Sequence, residues 1–372
     1  MNNTICLLPF HHLDISISGK VLPCCQFNPN EVPDDMNINM PNIFRHNFLE
    51  NIRSEMLQGN AVKGCDRCYR SEKHSSNSYR IEMLQRYKKD FGKDFIPPPK
   101  PKLAFINLAL SNLCNNKCRM CNSKLSTSWY ADAKILGYDV PKGAVFQKDW
   151  FENFDIKDLE AINLHGGEPL MEQDRIVDIL QKCRLEKLTL VITTNSTLRP
   201  NDDLVKLLKQ CKQVQWNLSI DAVGMLNNFL RKGSDWDTVK KNVQWYYRNF
   251  DFIKTNTVIS IYNVNCFDKL YLYLKDNYPK IDQRHIMIEG VDWMQIYNLP
   301  EEAKEKVRQR VLEIKEKTKL SICDYILNIL STSGNFKNFE KMDAQINNIR
   351  HEHWKDFNTE LYNWIYTKEE IC

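Results

Sequence analysis

The sequence has no run of about 18 consecutive apolar residues, the minimum for a membrane-spanning helix, so no span is expected. Its N-terminus, MNNTICLLPFHHLDISISGK, carries no basic residue before its short apolar run. The LDISISG segment alternates apolar and polar residues as a strand does, which does not suit a secretory signal. The cytoplasm is therefore the expected compartment. Charge of one sign is also scarce, with a net charge of +4 over 372 residues. That argues against bulk nucleic-acid affinity and leaves room only for a local basic patch. There is no internal repeat, and no low-complexity tract beyond one proline-rich stretch.

The chain does contain the material for ordered cores. Apolar residues make up 42% and charged residues 26%, a balance typical of folded proteins. The length exceeds a usual single core, so two or three domains are expected. Pro97-Pro98-Pro99-Lys100-Pro101 cannot continue a helix and reads as a linker over 97–101. Before it lies a cysteine-bearing segment, 1–96. After it, over 102–299, apolar runs at 103–110, 159–164, 188–193, 214–220, 257–262 and 285–291 alternate with helical patterns at 122–137, 173–183, 202–211, 236–250 and 267–277. Near-continuously apolar strands alternating with helices predict an α/β fold with a parallel sheet. Right-handed crossovers wind six such units into a (β/α)6 partial barrel, with chemistry at the C-terminal strand ends. Residues 300–372 read as a helical extension that begins with the charged amphipathic segment EEAKEKVRQRVLEIKEKTKL.

Thirteen cysteines is a high count for a chain kept in reducing surroundings. Cys183, Cys211, Cys266, Cys323 and Cys372 stand alone and read as core or surface thiols. The others fall in short-spaced groups. Cys114, Cys118 and Cys121 form C-x3-C-x2-C just after the first barrel strand, where three thiolates can share one metal centre. A cubane cluster has four irons, so three protein ligands leave one open to chelate a substrate or cofactor. A zinc site would want a fourth ligand, which His165 offers.

This loop is similar to the signature of the radical S-adenosylmethionine (radical SAM) superfamily, whose members share the six-stranded partial barrel. Gly166-Gly167-Glu168-Pro169, after the second strand, resembles the superfamily's GGEP motif. Its glycines admit close backbone approach, and Glu168 would hold the methionyl ammonium. Met120 stands where many members place an aromatic residue beside the adenine. The resemblance also points to Asn195, Ser219 and Arg231 as cofactor contacts, with Arg231 suited to a carboxylate through its fork. Asn195 and Asp221 equally read as helix N-caps. The implied chemistry is cleavage of S-adenosylmethionine at a [4Fe–4S] cluster and hydrogen abstraction from an unactivated carbon. No catalytic base is identified.

The remaining grouped cysteines precede the barrel. A hairpin around Gly19 and Lys20 would bring Cys6 and Cys24 together, and Cys65 and Cys68 form a later C-x2-C pair. By spacing alone this reads as a four-cysteine zinc ribbon and hence as a zinc-binding interaction module. Beside the three-cysteine loop, C-x12-G-x4-C with a later C-x2-C resembles the twitch domain, a shortened SPASM domain holding an auxiliary [4Fe–4S] cluster. The resemblance implies that Cys6, Cys24, Cys65 and Cys68 close that cluster completely, which suits electron transfer and net substrate oxidation. A redox-neutral rearrangement, epimerisation or methylation is the other outcome such enzymes reach. The substrate would be a small molecule, such as a sugar or cyclitol, or a peptide. The reductant would be a flavodoxin or ferredoxin. Cys25 has no assigned role. The stretches Tyr69-Arg70-Ser71-Glu72 and Ser78-Tyr79-Arg80 also look family-like, although they read equally well as a polar helix start.

Overall fold

The computed structural model describes residues 4–74, 78–145 and 155–366; Cys372 lies outside them. Among the described residues, eight strands follow one another along the chain. They are β1 (His12–Ile15), β2 (Val21–Leu22), β3 (Phe105–Ala109), β4 (Ala161–His165), β5 (Thr189–Thr194), β6 (Gln213–Ser219), β7 (Phe252–Ile259) and β8 (Asp282–Met287). The described residues divide into two compact units.

The first unit comprises Met1–Asn112, Val145–Ile192 and Pro200–Val214. Its strands run in the order β2-β1-β3-β4-β5. β1 and β2 form the expected antiparallel hairpin, with Asp14 opposite Leu22 and Ile15 opposite Val21. Gly19 supplies the positive φ of 82° that its turn requires. The sequence pattern did not predict what β1 does next: it pairs in parallel with β3, setting His12 against Phe105 and Ile15 against Leu108. The six-strand pattern therefore gains a hairpin from the cysteine-bearing segment. β3 pairs with β4 and β4 with β5, all in parallel.

The strands are not apolar on both faces, as the hydrophobic runs suggested. β4 and β5 alternate buried and half-buried positions, with Ile162, Leu164, Leu190 and Ile192 inside. The other face carries several polar side chains, and some of them bond across the strands. Asn107 Nδ2 donates to Asp14 Oδ2 at 2.9 Å, and Asn163 Nδ2 donates to Asn107 Oδ1 at 3.2 Å.

The second unit comprises Leu113–Ala144, Thr193–Arg199 and Gln215–Cys372. Here β6, β7 and β8 are parallel neighbours. β7 starts earlier than its apolar run because Ile253 and Thr255 fill buried positions ahead of it. β-branched threonine suits a strand without registering as hydrophobic. The expected helix over 122–137 is shorter, a 3-10 turn Thr127–Trp129 followed by Tyr130–Ile135. The C-terminal extension folds into helices Glu301–Thr318, Ile322–Ile329, Phe336–Arg350 and Thr359–Tyr366. Their apolar faces join Phe229, Tyr262, Phe339 and Trp354 in one core. Each side chain fully buried there contributes about 1.5–3 kcal/mol of apolar transfer.

Candidate cofactor sites

In the second unit, the loop carrying Cys114, Cys118 and Cys121 has no regular structure of its own and is held by side chains that stand in for one. Ser128 Oγ donates to Cys114 O at 2.7 Å, Ser126 Oγ to Asn116 O at 2.7 Å, and Trp129 Nε1 to Cys118 O at 2.8 Å. The carbonyls of a loop must find partners when buried, and the short helix after the motif supplies them. Segment 230–233 flanks the loop through its backbone, with Lys117 N donating to Lys232 O at 2.7 Å and Arg119 N to Leu230 O at 2.8 Å.

Cys114 and Cys118 are buried and Cys121 is half-buried. Donors point at their sulfurs: Asn116 N at 3.4 Å and Asn195 Nδ2 at 4.0 Å from Cys114 Sγ, and Arg231 Nη1 at 3.9 Å from Cys118 Sγ. Burial pushes the Cys118 thiol up to about 11 and the Cys121 thiol up to about 12. Two buried thiols with donors at their sulfurs, and a half-buried third on the same loop, are good ligands for a cationic iron centre, which deprotonates a coordinating thiol outright. The Asn116 side chain is 1% exposed with neither its nitrogen nor its oxygen hydrogen-bonded. A group bound in the loop would give that amide a partner, so the residues fit an iron–sulfur cluster.

The other expected contacts of this unit have the following surroundings. Asn195 is no simple N-cap: its Nδ2 donates to Asn115 Oδ1 at 2.8 Å and its Oδ1 accepts from Thr197 N at 3.0 Å. Arg231 is 8% exposed, and its Nε lies 2.7 Å from Asp221 Oδ2. Asp221 caps no helix; its Oδ1 accepts from Val258 N at 2.8 Å on β7. Ser219 closes β6 and is half-buried. Met120 packs against the core that includes Phe229 and Tyr262.

In the first unit, Gly166 has φ of 120°, and a Cβ there would lie 2.5 Å from Ser111 O. Only glycine lets this turn lie against the end of β3, where Gly167 N donates to Ser111 O at 2.8 Å. Glu168 is buried, and its Oε1 accepts from Leu170 N at 3.1 Å as the cap of the turn Pro169–Glu172. Glu172 was not singled out by sequence, yet it bridges Ser111 Oγ and Arg175 Nη1 beneath the motif.

The N-terminal cysteines gather in the same unit. Cys6, Cys24, Cys65 and Cys68 line one pocket together with Leu8, Phe27, Tyr79 and Arg80. The hairpin brings in Cys24, the turn Lys63–Cys65 brings Cys65, and helix Asp66–His74 presents Cys68. Burial and the neighbouring thiols push Cys6 and Cys65 up to about 12. Four thiols gathered in one pocket beside Arg80 are a donor set for a metal centre. Cys25 is exposed, with Gln26 Nε2 3.8 Å from its sulfur. The polar-helix-start reading of 78–80 holds. Ser78 caps helix Tyr79–Phe91, and Arg80 forks onto Glu72 with bonds of 3.0 and 2.5 Å. Among the described residues, no three His, Cys, Asp or Glu side chains meet at the range of a single metal ion. Cubane corners spread their ligands farther apart than one ion does.

Residues 108–274 match the family model of the radical SAM superfamily. The chain thus carries a radical SAM domain. No curated protein matches it. Similar solved structures include anSMEcpe with bound AdoMet, at 16% identity and a TM-score of 0.40, covering 57% of this chain and 61% of that one. Streptococcus suis SuiB bound to S-adenosylmethionine is 18% identical with a TM-score of 0.38, covering 73% and 58%. SuiB bound to precursor peptide SuiA gives 18% and 0.38, covering 73% and 60%. The chain thus spans about 60% of the length of these structures.

Proposed function

We propose that this protein is a radical SAM enzyme that abstracts hydrogen from an unactivated C–H bond of a small molecule or peptide, with net two-electron oxidation as the outcome. The observation that carries this reading is the buried C-x3-C-x2-C loop with its ring of donors, inside the matched domain. Cys114, Cys118 and Cys121 would hold a [4Fe–4S] cluster with one open iron. When bound there, that cluster and S-adenosylmethionine would supply one-electron reduction and the capacity to abstract a hydrogen atom from the substrate.

The chain's own groups prepare this chemistry. N–H donors from Asn116, Asn195 and Arg231 toward the sulfurs draw off charge and favour the reduced state. Arg231, with Nε committed to Asp221, would offer its remaining donors to the cofactor carboxylate together with Ser219. Gly166 and Gly167 expose backbone, and Glu168 would hold the methionyl ammonium. Met120 would lie beside the adenine. Cys6, Cys24, Cys65 and Cys68 would hold a second [4Fe–4S] cluster, which supplies a one-electron acceptor. A flavodoxin or ferredoxin in the cytoplasm would supply the first electron.

Anaerobically reconstituted, dithionite-reduced protein is expected to release 5′-deoxyadenosine from S-adenosylmethionine, slowly without substrate. Replacing Cys114, Cys118 and Cys121 with Ala should abolish that release and remove about four of about eight irons. Full iron content in the triple variant would overturn the assignment.

A further inference from the structure

Hydrogen abstraction does not explain the C-terminal extension, but its contacts within the second unit converge on the cysteine loop. Arg119 sits between Cys118 and Met120 in sequence and is 1% exposed. Its guanidinium stacks over the Phe229 ring, 3.7 Å from the centroid. Nη2 donates to Asn347 Oδ1 at 2.5 Å and to Glu352 Oε1 at 2.9 Å. Nη1 lies 3.3 Å from Asp343 Oδ1 and 3.3 Å from the Tyr262 hydroxyl. The acceptors are themselves fixed. The Tyr262 hydroxyl donates to Asp343 Oδ1 at 2.5 Å, and Asn347 Nδ2 donates to Asp343 Oδ2 at 2.8 Å.

A second tie runs parallel to the first. Lys117 Nζ lies 2.7 Å from Asp132 Oδ1, and Arg350 Nε lies 2.7 Å from Asp132 Oδ2. Glu352 Oε2 also takes Lys232 Nζ at 2.8 Å, joining the extension to the segment that flanks the loop by backbone bonds. The cysteine loop is therefore gripped from two sides, by 230–233 and by 343–352.

An arginine with no solvent exposure is costly unless its donors are met, and a salt bridge so deeply buried adds little to stability over an apolar core. Its planar fork does fix orientation, because several donors are satisfied only in one pose. The groups behind metal ligands set ligand geometry in the same way. We infer that Arg119 is a positioning residue through which Asp343, Asn347 and Glu352 of the C-terminal extension hold the Cys118–Cys121 turn in cluster-binding geometry. The inference rests on the reading of this loop as a cluster site.

The test uses the full chain, reconstituted anaerobically, as wild type, Arg119→Met, Arg119→Lys and Glu352→Gln. EDTA is the chelating probe, and cluster bleaching and the electron paramagnetic resonance signal of the reduced protein are read with and without S-adenosylmethionine. Arg119→Met should lose the four-iron share absent from the triple cysteine variant about 10–100-fold faster than wild type, with an altered resonance signal. Arg119→Lys, which keeps charge and loses the fork, should fall between the two. Glu352→Gln preserves shape and should bleach faster even if Arg119→Met does not fold. Wild-type bleaching rates and an unaltered signal in Arg119→Met or Glu352→Gln would overturn the brace. Absence of that iron share from wild type itself would instead overturn the cluster reading.

Discussion

Gly233 shows how one residue bears on the site. Its φ is 105°, and a Cβ there would lie 2.5 Å from Asn115 O and 3.1 Å from the Asn116 side chain. The obstacle is backbone of the cysteine loop, so it cannot swing aside as a side-chain tip would. Gly233→Ala should therefore combine a left-handed backbone penalty of about 1–3 kcal/mol with displacement of the loop. Reconstituted variant should hold fewer irons than wild type and melt at lower temperature. Full iron loading with an unchanged melt would show that the loop yields freely at this point. Arg231 and Asp221 teach a related lesson: paired at 2.7 Å, their charges serve each other before any ligand arrives.

At the scale of elements, the N-terminal pocket is assembled from pieces that have little regular structure in common. A two-stranded hairpin, a 3-10 turn and the first turn of a helix each deliver cysteine, and the Glu72–Arg80 pair joins the following helices. The four thiols come from separate elements that a bound metal centre would tie together, so metal binding and local folding should be coupled. Cys65→Ala with Cys68→Ala is expected to lower iron content from about eight to about four per chain. Cofactor cleavage at the other loop should persist, while substrate oxidation should fall by orders of magnitude for want of an electron acceptor. Product formation at the wild-type rate by a double variant lacking that iron would remove the acceptor role.

For the molecule as a whole, pH reaches global stability through groups buried without partners. His285 on β8 lies between Phe267 and Tyr271, with ring centroids 6.0 and 5.9 Å away, and its Nε2 is buried with no hydrogen bond. Burial pushes its imidazole from 6.5 down to about 4. The folded state prefers the neutral ring, so its contribution is complete above pH 6.5 and is lost as pH falls through about 4. Across that window wild type should lose about 1 kcal/mol per pH unit relative to His285→Phe, which has no proton to take up. Thermal melts at about pH 7.5 and about pH 5.5 check this, and parallel shifts in both proteins would count against it.

Sequence by itself determined the parts that are local. Strand and helix periodicity follows from which side chains meet water, and the C-x3-C-x2-C and GGEP motifs keep their chemistry on short loops whose spacing is covalent. The hairpin around Gly19 was legible for the same reason. Tertiary structure alone decided what lies far apart in the chain. That β1 pairs in parallel with β3 depends on hydrogen bonds between backbones some ninety residues apart, which leave no pattern in side-chain type. The polar row Asp14–Asn107–Asn163 interrupts apolar runs and makes sense only once three strands set those residues side by side. In the sequence, Arg119 is a single charged residue between two cysteines. Its role emerges because folding brings Asp343, Asn347 and Glu352 to it across more than two hundred residues, and no local pattern encodes a partner at that distance.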